Sequence, residues 1–198
     1  MDLRRTLITG ICLGWLLLPA TRAADVATDI DLAPYRTEAR QLGEELGAAL
    51  REELQAALAT GGPLAAVGTC RNKALPIANA ISDRSGWEVG RTSLRVRNPD
   101  NAPDFWERQI LERFEQRADA GESPATIEQD AVIRAGEHRY YRYMKAIATA
   151  EPCTVCHGES IAPALQVRLQ ELYPDDRATG FRAGELRGAF TMTRRIDP

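Results

Sequence analysis

The chain has 198 residues, 44% of them hydrophobic, with 25 Lys and Arg against 28 Asp and Glu and a net charge of −3. That length holds one ordinary domain plus flanking segments. The balance leaves no basic surplus, which excludes nucleic acid as an expected partner.

Residues 1–23 read as a cleavable signal peptide. Arg4 and Arg5 form its positive start, Leu7 to Ala20 is an apolar run of 14 residues, and Thr21 and Ala23 are small residues placing the cut after Ala23. The run is shorter than the roughly 20 residues that span a bilayer, so no stable membrane span is expected after cleavage. Ile11, preceding Cys12, argues against a lipoprotein site. Cleavage removes Arg4, Arg5, Arg22 and Asp2 and takes the net charge from −3 to −5. The expected location is periplasmic or secreted.

Residues 24–35 read as a short acidic linker and residues 36–198 as the folded domain. Residues 36–60 predict a helix, because Leu42, Leu46, Leu50, Leu54 and Leu58 recur every four positions. Gly61-Gly62 ends it and Pro63 opens a second helix to about Ser82. The stripe Val67, Cys70, Ala74, Ile77 and Ile81 turns Cys70 to the interior, and Pro76 is expected to bend this helix.

Trp87 to Arg97 predicts a strand with a possible bulge at Gly90, and unbroken alternation puts Arg91, Ser93, Arg95 and Arg97 on one face. A turn-rich stretch leads to a helix from Asp104 to about Ala120, with Phe105, Ile110, Leu111 and Phe114 apolar and Gly121 as its stop. Residues 128–134 and 138–148 predict two strands around an Ala135-Gly136-Glu137 turn. Ser160 is the expected cap of a short helix to Leu172, and residues 185–192 alternate as a half-buried last strand. This order predicts an α+β domain with a mostly antiparallel sheet. It is compatible with a PAS-like architecture without singling it out.

Before that short helix stands Cys153-Thr154-Val155-Cys156-His157. C-x-x-C-H is the attachment sequence of a c-type haem: two thiols add to the porphyrin vinyl groups and the histidine binds iron from one face. Zinc would need further ligands, and a second cysteine pair is missing. A thioredoxin-type dithiol would need a βαβ setting. One covalent haem c is therefore the expected cofactor, held by Cys153, Cys156 and His157. Its attachment outside the cytoplasm agrees with the signal peptide.

The other iron face has four candidates: Cys70, His138, Met144 and Met192. Cys70 offers a strong sulfur donor, and sulfur ligation of haem has precedent. The residues alone favour Cys70 as a small apolar residue in a helix face, the methionines as core and His138 as a hydrogen-bonded strand residue. Arg91, Arg95 and Arg97 could pair with the haem propionates or line a solvated strand face; the sequence leaves this open.

Four stretches, "AAVGTCRNKALPIANAIS", "GWEVGRTSLRVRNPDNAPDFWE", "EPCTVCHG" and "YPDDRATGFRAGELRGAF", resemble the Tll-type haem-c domain family over roughly residues 63–190. The resemblance implies a PAS-like fold with long N-terminal helices, a single covalent haem c and His/Cys axial ligation, with His157 and Cys70 in those places. It moves Cys70 ahead of the other candidates. The family includes stand-alone exported proteins and sensory modules joined to kinases or chemoreceptors, and a thiolate opposite His157 that leaves on reduction would open the iron, so the expected function is an exported cytochrome that senses redox state or a diatomic gas. Plain electron transfer between periplasmic partner proteins is the alternative. An enzyme is not expected: peroxidase chemistry needs distal acid–base groups, and with His157 on iron only His138 remains. The oligomeric state is left open by the sequence.

Overall fold

The computed structural model describes residues 30–197; the expected signal peptide and most of the expected linker lie outside them. Helix α1 spans Ala33–Ser85, earlier in the linker than expected because Pro34 suits a first helical turn. It is two helices joined at Gly62, whose φ of 67° and ψ of −164° break the helix. A left-handed φ costs glycine little, and Pro63 restarts the helix beyond it. Pro76, expected to bend the second half, sits within helical dihedrals. Gly86, at φ 70°, caps the end by donating its N–H to Ser82 O.

Strand β1 is Glu88–Thr92, shorter than predicted. Alternation stops where the Ser93 hydroxyl accepts from the Arg95 N–H at 3.1 Å and donates to Arg187 O at 2.9 Å. The local bond and the distant one to Arg187 O together turn the chain away from the sheet, so residues 93–97 do not share a strand face with Arg91. Helix α2 (Phe105–Asp119) opens on a capping box between Asp104 and Glu107. Ile110, Leu111 and Phe114 are buried, but Phe105 is 79% exposed and belongs to the solvent face.

Strands β2 (Glu128–Ala135) and β3 (His138–Ala148) form the predicted hairpin, closed by Gly136-Glu137 with Gly136 at φ 62°. A one-turn helix, α3 (Thr154–His157), precedes α4 (Pro163–Leu172) and then strand β4 (Leu186–Arg195). Ala162, not Ser160, is the N-cap of α4, since Pro163 fixes its first turn. The result is α+β: a four-stranded antiparallel sheet in the order β1-β4-β3-β2, with a long N-terminal helix. No helix among the described residues is long and apolar enough to cross a membrane.

Central strand β4 is covered on both faces because successive side chains point opposite ways. Phe190 and Met192 meet α1 at Gly43 and Gly47, where an added Cβ would come within 3.0 Å of them. Leu42 and Leu46 are buried beside these glycines, whereas Leu50, Leu54 and Leu58 are only half-buried. On the other face Ala189 joins Ile110, Leu111, Phe114, Ile127, Met144 and Ala146. Trp87 stacks edge-on against Tyr35 and Tyr141, at 6.4 Å and 5.9 Å between ring centroids, tying the start of α1 to the sheet.

A polar network reinforces that tie. Arg40 bonds both oxygens of Glu128, and the Tyr143 hydroxyl donates to the same carboxylate at 2.6 Å. Arg40, then Tyr143, holds the Glu128 carboxyl down from 4.5 to about 2, against the opposing effect of burial. A depressed carboxyl stabilises the fold above its unfolded pKa, and that contribution fades as pH falls from about 4.5 towards 2. Because Arg40 is half-exposed, the effect should be about 1 kcal/mol or less. Urea denaturation at pH 5 and pH 3 should therefore show Glu128→Gln losing less stability on acidification than the parent protein. Equal losses would remove this network from the acid response.

Candidate haem site

The C-x-x-C-H stretch occupies one helical turn. Cys153 is the N-cap of α3 and Cys156 lies within it, so the two thiols are three residues apart on one face. Cys70, Cys153 and Cys156 are all free. Gly158 follows directly, and a side chain there would put a Cβ 2.4 Å from Thr154 O.

His157 is fixed through one ring nitrogen. Its Nδ1 lies 2.6 Å from Ala178 O, and since a carbonyl only accepts, Nδ1 carries the proton. Nε2 is left as an unprotonated donor, the form that a metal requires. Burial, then the charges of Arg187 and Arg97, push the His157 pKa down to about 2, so the imidazole is neutral.

The segment that supplies Ala178 is strapped in place. Arg97 pairs with Asp176 at 2.9 Å, both side chains being about nine-tenths buried. The same guanidinium donates to Cys156 O at 2.6 Å and Ala178 O at 3.3 Å, and its Nη1 stands 3.5 Å from His157 Nε2. Asp176 accepts from the Ala178 N–H at 2.8 Å. Phe181 N–H donates to His157 O at 2.9 Å and Gly180 N–H to Gly158 O at 2.8 Å. Residues 96–97, 157–158 and 176–181 thus form one unit. Asp176 and Arg187 were not among the residues singled out from sequence; nothing in a turn such as Tyr173-Pro174-Asp175-Asp176 signals a partner so distant in the chain.

The second half of α1 packs over this unit. Val67 is buried with Leu165, Leu169 and Tyr173, and Cys156 packs against the same cluster. Arg71 donates to Leu172 O and lies over the Tyr173 ring. Cys70, expected to face the interior, is exposed to solvent. Surrounding protein nevertheless raises its thiol pKa by desolvation, while Arg91 and Arg97 pull it down. Cys70 is thus exposed yet near enough to Arg91 and Arg97 for their charges to act on its thiol. Cys70 shares Arg91 and Arg97 with His157 as charged neighbours, and its charge is felt at Cys156 and Tyr173.

The other sulfur and nitrogen candidates lie elsewhere. Met144 and Met192 are fully buried, and Met144 is part of the sheet core. His138 bonds Asp197 at 2.8 Å at the start of β3. The C-x-x-C-H turn follows the other end of that strand, roughly 30 Å away at the usual rise per residue.

The residues present fit a c-type haem. Two free thiols occupy one turn, an imidazole has its Nε2 unprotonated with Arg97 Nη1 3.5 Å away, and a third thiol lies near the same arginines. Fold and site together define an α+β domain of the C-x-x-C-H type in which a helix-borne cysteine overlooks the motif. The chain belongs to the Tll0287-like family, whose model matches residues 28–194. Among solved structures it is similar to the cyanobacterial haem protein Tll0287, with 27% identity over 82% of this chain and 92% of that one and a TM-score of 0.57. No curated protein matches it significantly.

Proposed function

We propose that the chain is an exported mono-haem cytochrome of PAS-like fold, with His157 and Cys70 as axial ligands, that senses redox state or a small ligand. The observation that carries this is the orientation of His157: Ala178 O holds Nδ1 and leaves Nε2 unprotonated on the side of Arg97, a charged neighbour that Cys70 shares. The similar cyanobacterial protein is a haem protein, which supports the cofactor.

Cys153 and Cys156 would hold the group covalently. Haem supplies one-electron chemistry and an iron whose sixth position takes a ligand. Arg97 and Asp176 keep His157 oriented, and the Val67 cluster holds the Cys70 turn near Cys156. Because Cys70 makes no hydrogen bond among the described residues, little besides helix packing ties its thiol down. A weakly tethered ligand suits a site that opens with oxidation state. Electron transfer without signalling is the second reading. Catalytic turnover is not proposed, since His138 is too far from His157 to act as the site's acid–base group.

The test is the protein expressed with haem-maturation machinery. Its alkaline pyridine spectrum should be that of a c-type haem, with the pigment retained after acid–organic extraction. Extractable haem, or none, would defeat the reading.

A further inference from the structure

Three arginines, Arg187, Arg97 and Arg91, act on His157 by their charges. Burial, then Arg97 and Arg91, lowers the Arg187 pKa to about 10, and Arg95 adds to this while Asp176 opposes it. Most of these guanidiniums already have work. Arg97 is bound by Asp176 and two carbonyls. Arg95 lies 4.0 Å from the Phe181 ring centroid, bonds Arg177 O and faces Glu115. Arg187 donates to the Ser93 hydroxyl at 3.2 Å and Arg95 O at 3.3 Å.

Arg91 differs. Its register opposite Phe190 puts it on the face of β1 that the first half of α1 covers, and Cys70 and Tyr173 stand near enough for their charges to act on it. It is half-buried, and among the described residues it makes no hydrogen bond or ion pair. Its opposing neighbours are the ionisable groups of Cys70 and Tyr173, not a carboxylate. A desolvated cation without a partner is costly, so Arg91 calls for an anion. A guanidinium matches a carboxylate fork.

We propose that Arg91 receives a propionate carboxylate of the haem, and that Arg95 and Arg97, in the same sequence stretch, do not. This assignment rests on the haem reading. Arg91 anchors the edge of the group, whereas Arg97 orients His157 and Arg95 packs behind it on Phe181.

The test uses ferric and ferrous holoprotein carrying Arg91→Gln, Arg91→Lys or Arg95→Gln. Resonance Raman reads the propionate bending band and a redox titration reads the midpoint potential. Arg91→Gln should displace the band and lower the potential by about 59 mV, a tenfold change in the one-electron equilibrium, because an uncompensated carboxylate favours ferric iron. Arg91→Lys should recover the potential but not the band, since an ammonium keeps the charge without the fork. Arg95→Gln should leave the band in place and move the potential less than Arg91→Gln does. The assignment is overturned if Arg91→Gln alters neither, or if Arg95→Gln reproduces its effects. Should Arg91→Gln not retain haem, an unshifted band in Arg91→Lys overturns it. Wild-type protein without haem would overturn the functional reading as well, and is seen before any variant is compared.

Discussion

Cys70→Ala should keep its covalent haem and lose the narrow low-spin ferric signal of thiolate ligation. On the proposed reading attachment depends on Cys153 and Cys156, at the N-cap of α3 and within it, whereas Cys70 comes from α1. The Cys70 side chain is exposed and makes no hydrogen bond among the described residues, so alanine should change stability by no more than about 0.5 kcal/mol. The variant therefore separates ligation from folding. An anionic donor stabilises ferric iron, so its loss should raise the reduction potential. Opening the sixth position should raise affinity for carbon monoxide at least tenfold. Electron paramagnetic resonance beside a carbon monoxide titration reads both effects. A spectrum identical to wild type would reject Cys70 as the ligand. Met144 and Met192 are fully buried and His138 lies at the far end of β3, so such a result would require rearrangement of the fold and would favour electron transfer. With Cys70 established, loss of the thiol bond on reduction would favour sensing, and its retention would favour transfer.

What the sequence carried well were features with short-range causes. The glycine stop in α1, the β2–β3 hairpin and the α2 helix follow from local propensity and turn chemistry, and all three are present. The C-x-x-C-H turn is likewise local. What failed depended on contacts between distant segments. The strand from Trp87 ends at Thr92 because the Ser93 hydroxyl meets Arg187 O, 94 residues away. Cys70 fits an apolar stripe by spacing, yet its side chain is exposed beside the C-x-x-C-H turn rather than packed in the core, whereas Val67 and Ile81 of the same stripe are buried. Periodicity identifies a helix face but not what lies opposite it. The three arginines of residues 91–97 look equivalent in sequence. They take three roles because β1 ends between them, leaving Arg91 in the sheet and Arg95 and Arg97 in the strap.

Arg97→Met is expected to destabilise the protein by roughly 3–5 kcal/mol, the usual cost of leaving one member of a buried ion pair alone. Arg97 and Asp176 are 11% and 9% exposed. The methionine would fill similar volume but strand Asp176 with the Ala178 N–H as its remaining partner in the strap. It would also release Cys156 O and Ala178 O from the guanidinium. Removing both charges in Arg97→Met/Asp176→Leu should recover much of the loss, because an apolar pair leaves no uncompensated charge. Urea denaturation of holoproteins checks this. The site should respond differently from the fold. Ala178 O also fixes His157 Nδ1, so a double variant restored in stability should still show broadened low-spin signals from a loosened imidazole. If the double variant regains both stability and a sharp spectrum, the pair serves folding alone and His157 is oriented by the backbone bonds of residues 176–181. If it regains neither, the carbonyl bonds of Arg97 matter more than its charge, and the strap is held by the guanidinium's geometry.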